Sequence, residues 1–305
     1  MRPRSLAALS CALLLTACAA STQSAPKPAF DGARALQHIS TQVGFGPRVP
    51  NTAGHKRCRQ WMLDTLKPLA DRVESQSFSY PLGGDSLAMT NVIARFSGSG
   101  KGAGVLLAAH WDTRPTADEE TDPARRALPI PGANDGASGV AVLMELARQF
   151  KSSPPSVPVM LLFVDGEDYG PGLDRMFLGA RHFAGHLPPD VPRTGILLDM
   201  VGDKNLTIPR EPYSVSAARS VVDEVYRIAR RLGYQREFPN TEGSPIQDDH
   251  LPLIDKGLKV IDLIDFDYGP NHRYWHTLQD TPDKCSAASL KTVGDVVSEW
   301  VYTRR

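Results

Sequence analysis

The chain has 305 residues, 41% of them hydrophobic and 22% charged, with 34 basic residues balancing 34 acidic ones. Such a composition excludes collagen-like, disordered and disulfide-scaffold classes. A formal charge of zero also argues against a nucleic-acid binder, which needs an excess of Lys and Arg to neutralise phosphates.

Arg2 and Arg4 precede the apolar stretch Leu6 to Leu15, and Thr16-Ala17-Cys18 follows. A short basic region, a stretch too brief to span a bilayer and a small-residue boundary read as an export signal over residues 1–18. Leu15-Thr16-Ala17-Cys18 further resembles the bacterial lipobox, in which the cysteine becomes the lipidated first residue. An ordinary signal peptide cleaved near Ala20 is the alternative. Residues 19–29, rich in Ser, Ala, Pro and Lys, read as a flexible tether. The reading is of an exported cell-envelope protein, monomeric, touching the membrane only through a lipid at Cys18. Its single catalytic body would occupy residues 30–305.

Helical spacing of apolar residues runs from Phe30 to Gly44 and from Gly54 to Leu69. Thr90 to Phe96 reads as a strand. The runs Gly104 to Ala109, Val157 to Val164, Gly195 to Leu198 and Val260 to Ile264 are apolar on both faces, as in strands buried within a sheet. Amphipathic helices intervene over Ala137 to Phe150, Ser214 to Leu232 and Ser286 to Tyr302. The alternation predicts one α/β domain, a mostly parallel mixed sheet flanked by helices. Cys58 and Cys285 are isolated and read as buried apolar residues, with a disulfide between them left open.

Polar clusters stand where the strands end, the edge at which open α/β sheets bind ligands. They are His110-Trp111-Asp112, the small-residue loop Gly132 to Gly139 around Asp135, Glu167-Asp168, Asp199 and Trp275-His276-Thr277. Taken singly, each is what turns and helix caps also produce. As a set of imidazoles and carboxylates without thiolates they suit catalytic zinc, with three protein ligands and an open fourth position.

The ordered set H-x-D, G-A-N-D, paired acids, Asp and aromatic-His-Thr resembles the co-catalytic zinc aminopeptidase family, over roughly Leu106 to Asp283. In that family the residues matching His110, Asp135, Asp168, Asp199 and His276 hold two metals. Ile246-Gln247-Asp248-Asp249-His250-Leu251-Pro252, Trp275-His276-Thr277 and Leu197 to Gly202 are more similar still to one branch, the animal-type glutaminyl-peptide cyclotransferases. That resemblance implies one zinc held by Asp135, Asp168 and His276, with Glu167 as acid/base. It implies Asp199 and Asp248 as carboxylates steering the substrate amide, and Trp275 as a wall of the pocket. Its substrates would be peptides or proteins with N-terminal Gln, cyclised to pyroglutamate. A dinuclear zinc aminopeptidase, with His110 and Asp199 as second-metal ligands, is the alternative.

The chain departs from that branch in three places. Asp168 stands where Glu is usual. Tyr169-Gly170-Pro171-Gly172 lacks a pocket Trp, for which Trp111 or Tyr274 could substitute, beside Ile246. Ala109 stands where the animal enzymes carry one cysteine of a pair. Asp249 and His250 read either as partners behind the site or as a cap for a helix from Leu251. His272 reads as a surface histidine, and Arg114 as the partner of Asp118 or Glu119.

Overall fold

The computed structural model describes residues 27–305. The signal sequence and the lipidation site at Cys18 lie outside the described residues. Residues 27 and 28, at the end of the expected tether, already touch the body: Lys27 pairs with Glu299 at 2.7 Å, and the Pro28 carbonyl accepts from Gln149.

Six strands form one mixed sheet: β1 (Arg72–Leu82), β2 (Asp85–Phe96), β3 (Val105–His110), β4 (Val159–Val164), β5 (Thr194–Asp199) and β6 (Lys259–Ile264), in the order β1-β2-β4-β3-β5-β6. β3, β4, β5 and β6 run parallel, while β1 and β2 pair antiparallel and β2 joins β4 antiparallel. All residues of β3 and β4 are buried, which is why their sequences read as unbroken apolar runs.

Successive side chains feed opposite layers. Leu107 and Ala109 enter the larger core with α1 (Gly32–Gly44), α2 (Ala53–Leu66), α3 (Ser138–Ser152), α5 (Pro212–Arg231) and α7 (Ala287–Tyr302). Leu106 and Ala108 enter the smaller one with α4 (Leu178–Gly185) and α6 (His250–Ile254). The expected helices and buried strands are present, shifted by up to three residues at their ends. Caps set several boundaries: Asp31, Thr52 and Ser286 each accept from a backbone N–H of the first turn.

Sequence pattern missed β1 entirely. Its residues are all exposed or half-buried, so no apolar face marks it. Cys58 and Cys285 are both buried free thiols. No described helix is long and apolar enough to cross a membrane.

Just beyond β6, Asp265 accepts from the Thr207 N–H at 2.9 Å, yet burial pushes its carboxyl up to about 7. An acid raised in the folded state contributes stability that is complete below its unfolded pKa of about 4 and lost as pH rises towards 7. Asp265→Asn should therefore reduce the fall in Tm between pH 4 and 7, measured by calorimetry. An unchanged slope would show that Asp265 is not protonated in the fold.

Candidate active site

Four loops at the carboxyl ends of the parallel strands meet over β3, the central parallel strand. β3 delivers His110, and Asp112 follows in the turn. Both Asp112 carboxylate oxygens are engaged, accepting from the Glu167 N–H at 3.0 Å and the Asp168 N–H at 3.2 Å, so the H-x-D loop shapes the paired-acid loop after β4. Asp280 does the same for the G-A-N-D loop, accepting from the Asn134 and Asp135 N–H groups and from the Tyr268 hydroxyl. Close contact fixes a glycine here: Gly136 has φ 89°, and a Cβ on it would lie 2.2 Å from the Asp112 carbonyl. The Asn134 side chain donates to the Met200 carbonyl and accepts from the Gly202 N–H, tying this loop to the turn after Asp199. His276 is held at φ 50°, a left-handed conformation maintained only when its surroundings dictate it.

Two overlapping groups of potential metal ligands result, each with ligand atoms within 4.8 Å of one another: Asp135, Asp168 and His276, and His110, Asp135 and Asp199. His276 Nε2 lies 3.4 Å from Asp168 Oδ1 and 3.6 Å from Asp135 Oδ2. His110 Nε2 lies 3.2 Å from Asp135 Oδ1 and 3.1 Å from Asp199 Oδ1. All five residues are buried. Asp168 Oδ2 has no hydrogen-bond partner although it is buried, and a buried carboxylate oxygen without a partner is costly. A divalent cation held there would satisfy it. The donor set of two carboxylates and one imidazole suits zinc.

Electrostatics separate the two adjacent acids. Burial, reinforced by Asp168, Asp248 and Asp249, raises Glu167 well above the usual carboxylate range despite the opposing pull of His110. Burial also acts to raise Asp168, but His276 and the Arg114 guanidinium outweigh it and hold Asp168 below the ordinary value. Glu167 is thus the acid with the higher proton affinity, suited to exchange a proton, and Asp168 the one suited to remain an anionic ligand. Pairs driven apart in this way mark acid/base and ligand roles. Burial lowers His110, but Asp199, Asp112 and Asp135 raise it well above the histidine norm.

Most expected site residues converge. Glu167, Asp199 and Asp248 are all buried, and the Asp248 charge acts on both Glu167 and Asp199. Trp275 stacks on His276 with ring centroids 3.7 Å apart, and Ile246 is half-buried beside a cavity next to the site. Trp111 is a correction. It is wholly buried, stacks on His55 at 4.3 Å and donates to the Thr90 carbonyl, so it cannot line a pocket. Alternation explains this, since Trp111 points away from its neighbours His110 and Asp112. Tyr274 also faces elsewhere, lining a separate hollow with Asp203 and Lys204.

His272 is half-buried, 4.5 Å from Phe266 and 4.9 Å from Trp275 between ring centroids, and not a free surface histidine. Arg114 binds Asp118 as expected but also donates to Asp168 Oδ1 at 2.6 Å. Asp249 makes no side-chain cap for α6, and both its carboxylate oxygens are buried without a partner. Sequence reasoning missed Asp280 and Phe266. Asp280 closes W-H-T-L-Q-D, where its spacing from His276 was the available signal. Phe266 sits in an aromatic loop after β6 that carried none.

A carboxylate–imidazole centre at the carboxyl edge of a helix-flanked mixed sheet defines a metal-dependent enzyme of the zinc exopeptidase type. Residues 91–301 match peptidase family M28, and the chain belongs to that family. Among solved structures, it is 37% identical to Tannerella forsythia glutaminyl cyclase, with a TM-score of 0.87 over 91% of this chain and 100% of that one. A Zn-dependent exopeptidase from Parabacteroides distasonis is 38% identical, with a TM-score of 0.85 over 92% of this chain and 100% of that one. The Mus musculus glutaminyl-peptide cyclotransferase-like protein is 28% identical over 268 residues, 77% of this chain and 66% of the relative, just under two thirds of its length.

Proposed function

We propose that the protein cyclises N-terminal glutaminyl residues of peptides and proteins to pyroglutamate, releasing ammonia. The observation that carries this reading is the clustering of Glu167, Asp199 and Asp248 beside the Asp135–Asp168–His276 group, together with the similarity to a glutaminyl cyclase. In the reaction the substrate's α-amine nitrogen bonds to the carbonyl carbon of its own side-chain amide (Cδ), and the bond from that carbon to the amide nitrogen breaks, releasing ammonia. When bound to Asp135, Asp168 and His276, zinc supplies Lewis-acid polarisation of the γ-carbonyl oxygen. Glu167 takes the proton from the attacking amine and returns it to the leaving nitrogen. Asp199 and Asp248 accept from the amide NH₂ and orient it. Trp275, packed on His276, walls the pocket and holds the glutamine curled, which supplies effective molarity for closing a five-membered ring. A peptide mass reduced by one ammonia after incubation supports this reading. An unchanged mass with every N-terminal Gln substrate would sink it.

A dinuclear aminopeptidase is the second reading, favoured by the His110–Asp135–Asp199 grouping. Against it stands Asp248, buried beside Asp199 and acting on its charge, which suits Asp199 to hold the substrate amide instead of a second ion. One zinc per chain is therefore expected after dialysis against a weak chelator, measured by atomic emission. Two retained equivalents with matching activity would favour the peptidase.

The remaining parts of the proposal concern the chain ends and assembly. Residues 30–305 act as one catalytic body, monomeric, and residues 1–18 direct export. Cys18 carries the lipid that anchors it in the cell envelope.

A further inference from the structure

Behind the catalytic loops lies a buried guanidinium that no step of the proposed reaction uses. Arg48 stands in the turn between α1 and α2, and its side chain is wholly buried. Arginine is rarely buried so completely without a charged partner. Here the side chain donates only to backbone carbonyls: Nε to Trp111 at 3.0 Å, Nη1 to Pro131 at 2.9 Å, and Nη2 to Gly132. The Arg48 backbone N–H donates to Thr113 Oγ1 at 2.8 Å.

Those partners belong to two loops of the site. Trp111 and Thr113 flank Asp112, whose oxygens hold the Glu167 and Asp168 N–H groups. Pro131 and Gly132 lead into the G-A-N-D loop, which carries Asp135. Gly132 has φ 67°, and a Cβ on it would lie 2.6 Å from Arg48 Nη2, so this loop is shaped around the guanidinium. A guanidinium set against carbonyls alone gives up its hydration without gaining an ion pair, a poor choice for stability by itself. Its use is directional. The planar fork presents donors at fixed angles, which an ammonium does not.

We infer that Arg48 is a positioning residue, joining the two loops and so setting the span between Asp135 and Asp168. The tightness of the metal site and the rate of cyclisation depend on that span. Arg48 reaches neither metal nor substrate and acts through loop backbone. The inference rests on Asp135, Asp168 and His276 holding zinc, and it adds to that site a residue from far earlier in the chain.

Arg48→Lys and Arg48→Met are made in the full chain, with Leu66→Ala as the control. Leu66 is a buried core residue at the end of α2, so its truncation lowers Tm without touching either loop. Both Arg48 variants should lose about 10–100-fold in zinc affinity by chelator competition, as residues that orient ligands from behind typically do. Their kcat on glutaminamide should fall by a similar factor with KM within about threefold, since substrate contacts are untouched. Leu66→Ala should lower Tm at least as far and keep wild-type zinc affinity and kcat. Wild-type zinc affinity in Arg48→Lys would overturn the inference, because charge alone would then suffice. So would a loss of zinc affinity in Leu66→Ala equal to that of the Arg48 variants, since the effect would then be one of stability. An Arg48→Lys chain that fails to fold with zinc present would overturn it too, making Arg48 a residue of the core. Wild-type zinc affinity in Asp168→Ala would instead defeat the ligand reading on which the inference rests.

Discussion

Glu167→Gln should lower kcat by about 10²–10⁴-fold, the usual contribution of general acid–base catalysis, and leave KM and bound zinc nearly unchanged. Burial and neighbouring acids raise the proton affinity of the Glu167 carboxyl, which suits it to take a proton and return it, so an isosteric amide changes proton transfer and little else. Its adjacent partner provides the contrast. Asp168 lies 3.4 Å from His276 and has one oxygen unpartnered, which suits a ligand. Asp168→Ala should lose zinc, and added zinc should restore activity only partly. Zinc content and steady-state kinetics on both variants check the pair. A Glu167→Gln variant that lost its zinc, or kept more than about a tenth of wild-type kcat, would mean that the two acids have exchanged roles.

The second large effect is expected at Asp112, which touches neither substrate nor metal in this account. Its two oxygens hold the backbone N–H groups of Glu167 and Asp168. Asp112→Asn keeps the shape but leaves one acceptor where two are needed, so one buried N–H loses its partner at a cost of about 1–3 kcal/mol. Both acids would then drift from their positions. Residues that orient metal ligands from behind typically alter affinity or activity by about 10–100-fold. We expect a loss in that range in kcat/KM and in zinc affinity by chelator competition, with a lowered Tm. A lowered Tm alone, with zinc affinity and kcat/KM unchanged, would make Asp112 a purely structural residue.

Much of this site was legible because several of its residues lie at or directly beyond the ends of apolar runs that read as buried strands. His110 and Asp199 end β3 and β5, Glu167-Asp168 follow β4, and the sheet brings these ends together without further instruction. Loops were harder to read. Trp111 was a candidate to replace the pocket Trp missing from the Tyr169–Gly172 stretch, yet the extended backbone turns it into the core against His55. The second contact of Arg114, to Asp168 across 54 positions, depends on how two loops fold over each other, which no local pattern records. β1 escaped because it has no buried face, and Asp280 because its role is played through backbone N–H groups of the G-A-N-D loop.

The central claim is that this M28-family centre uses the substrate's own amine as nucleophile, with water excluded from that role. The most direct measurement is to incubate the zinc-loaded protein in parallel with Gln-Xaa and Leu-Xaa dipeptides, following ammonia and free amino acids together. The account predicts ammonia and pyroglutamyl-Xaa from the first, and no free leucine from the second. Free leucine at a rate comparable to ammonia release would contradict it and make the protein an aminopeptidase.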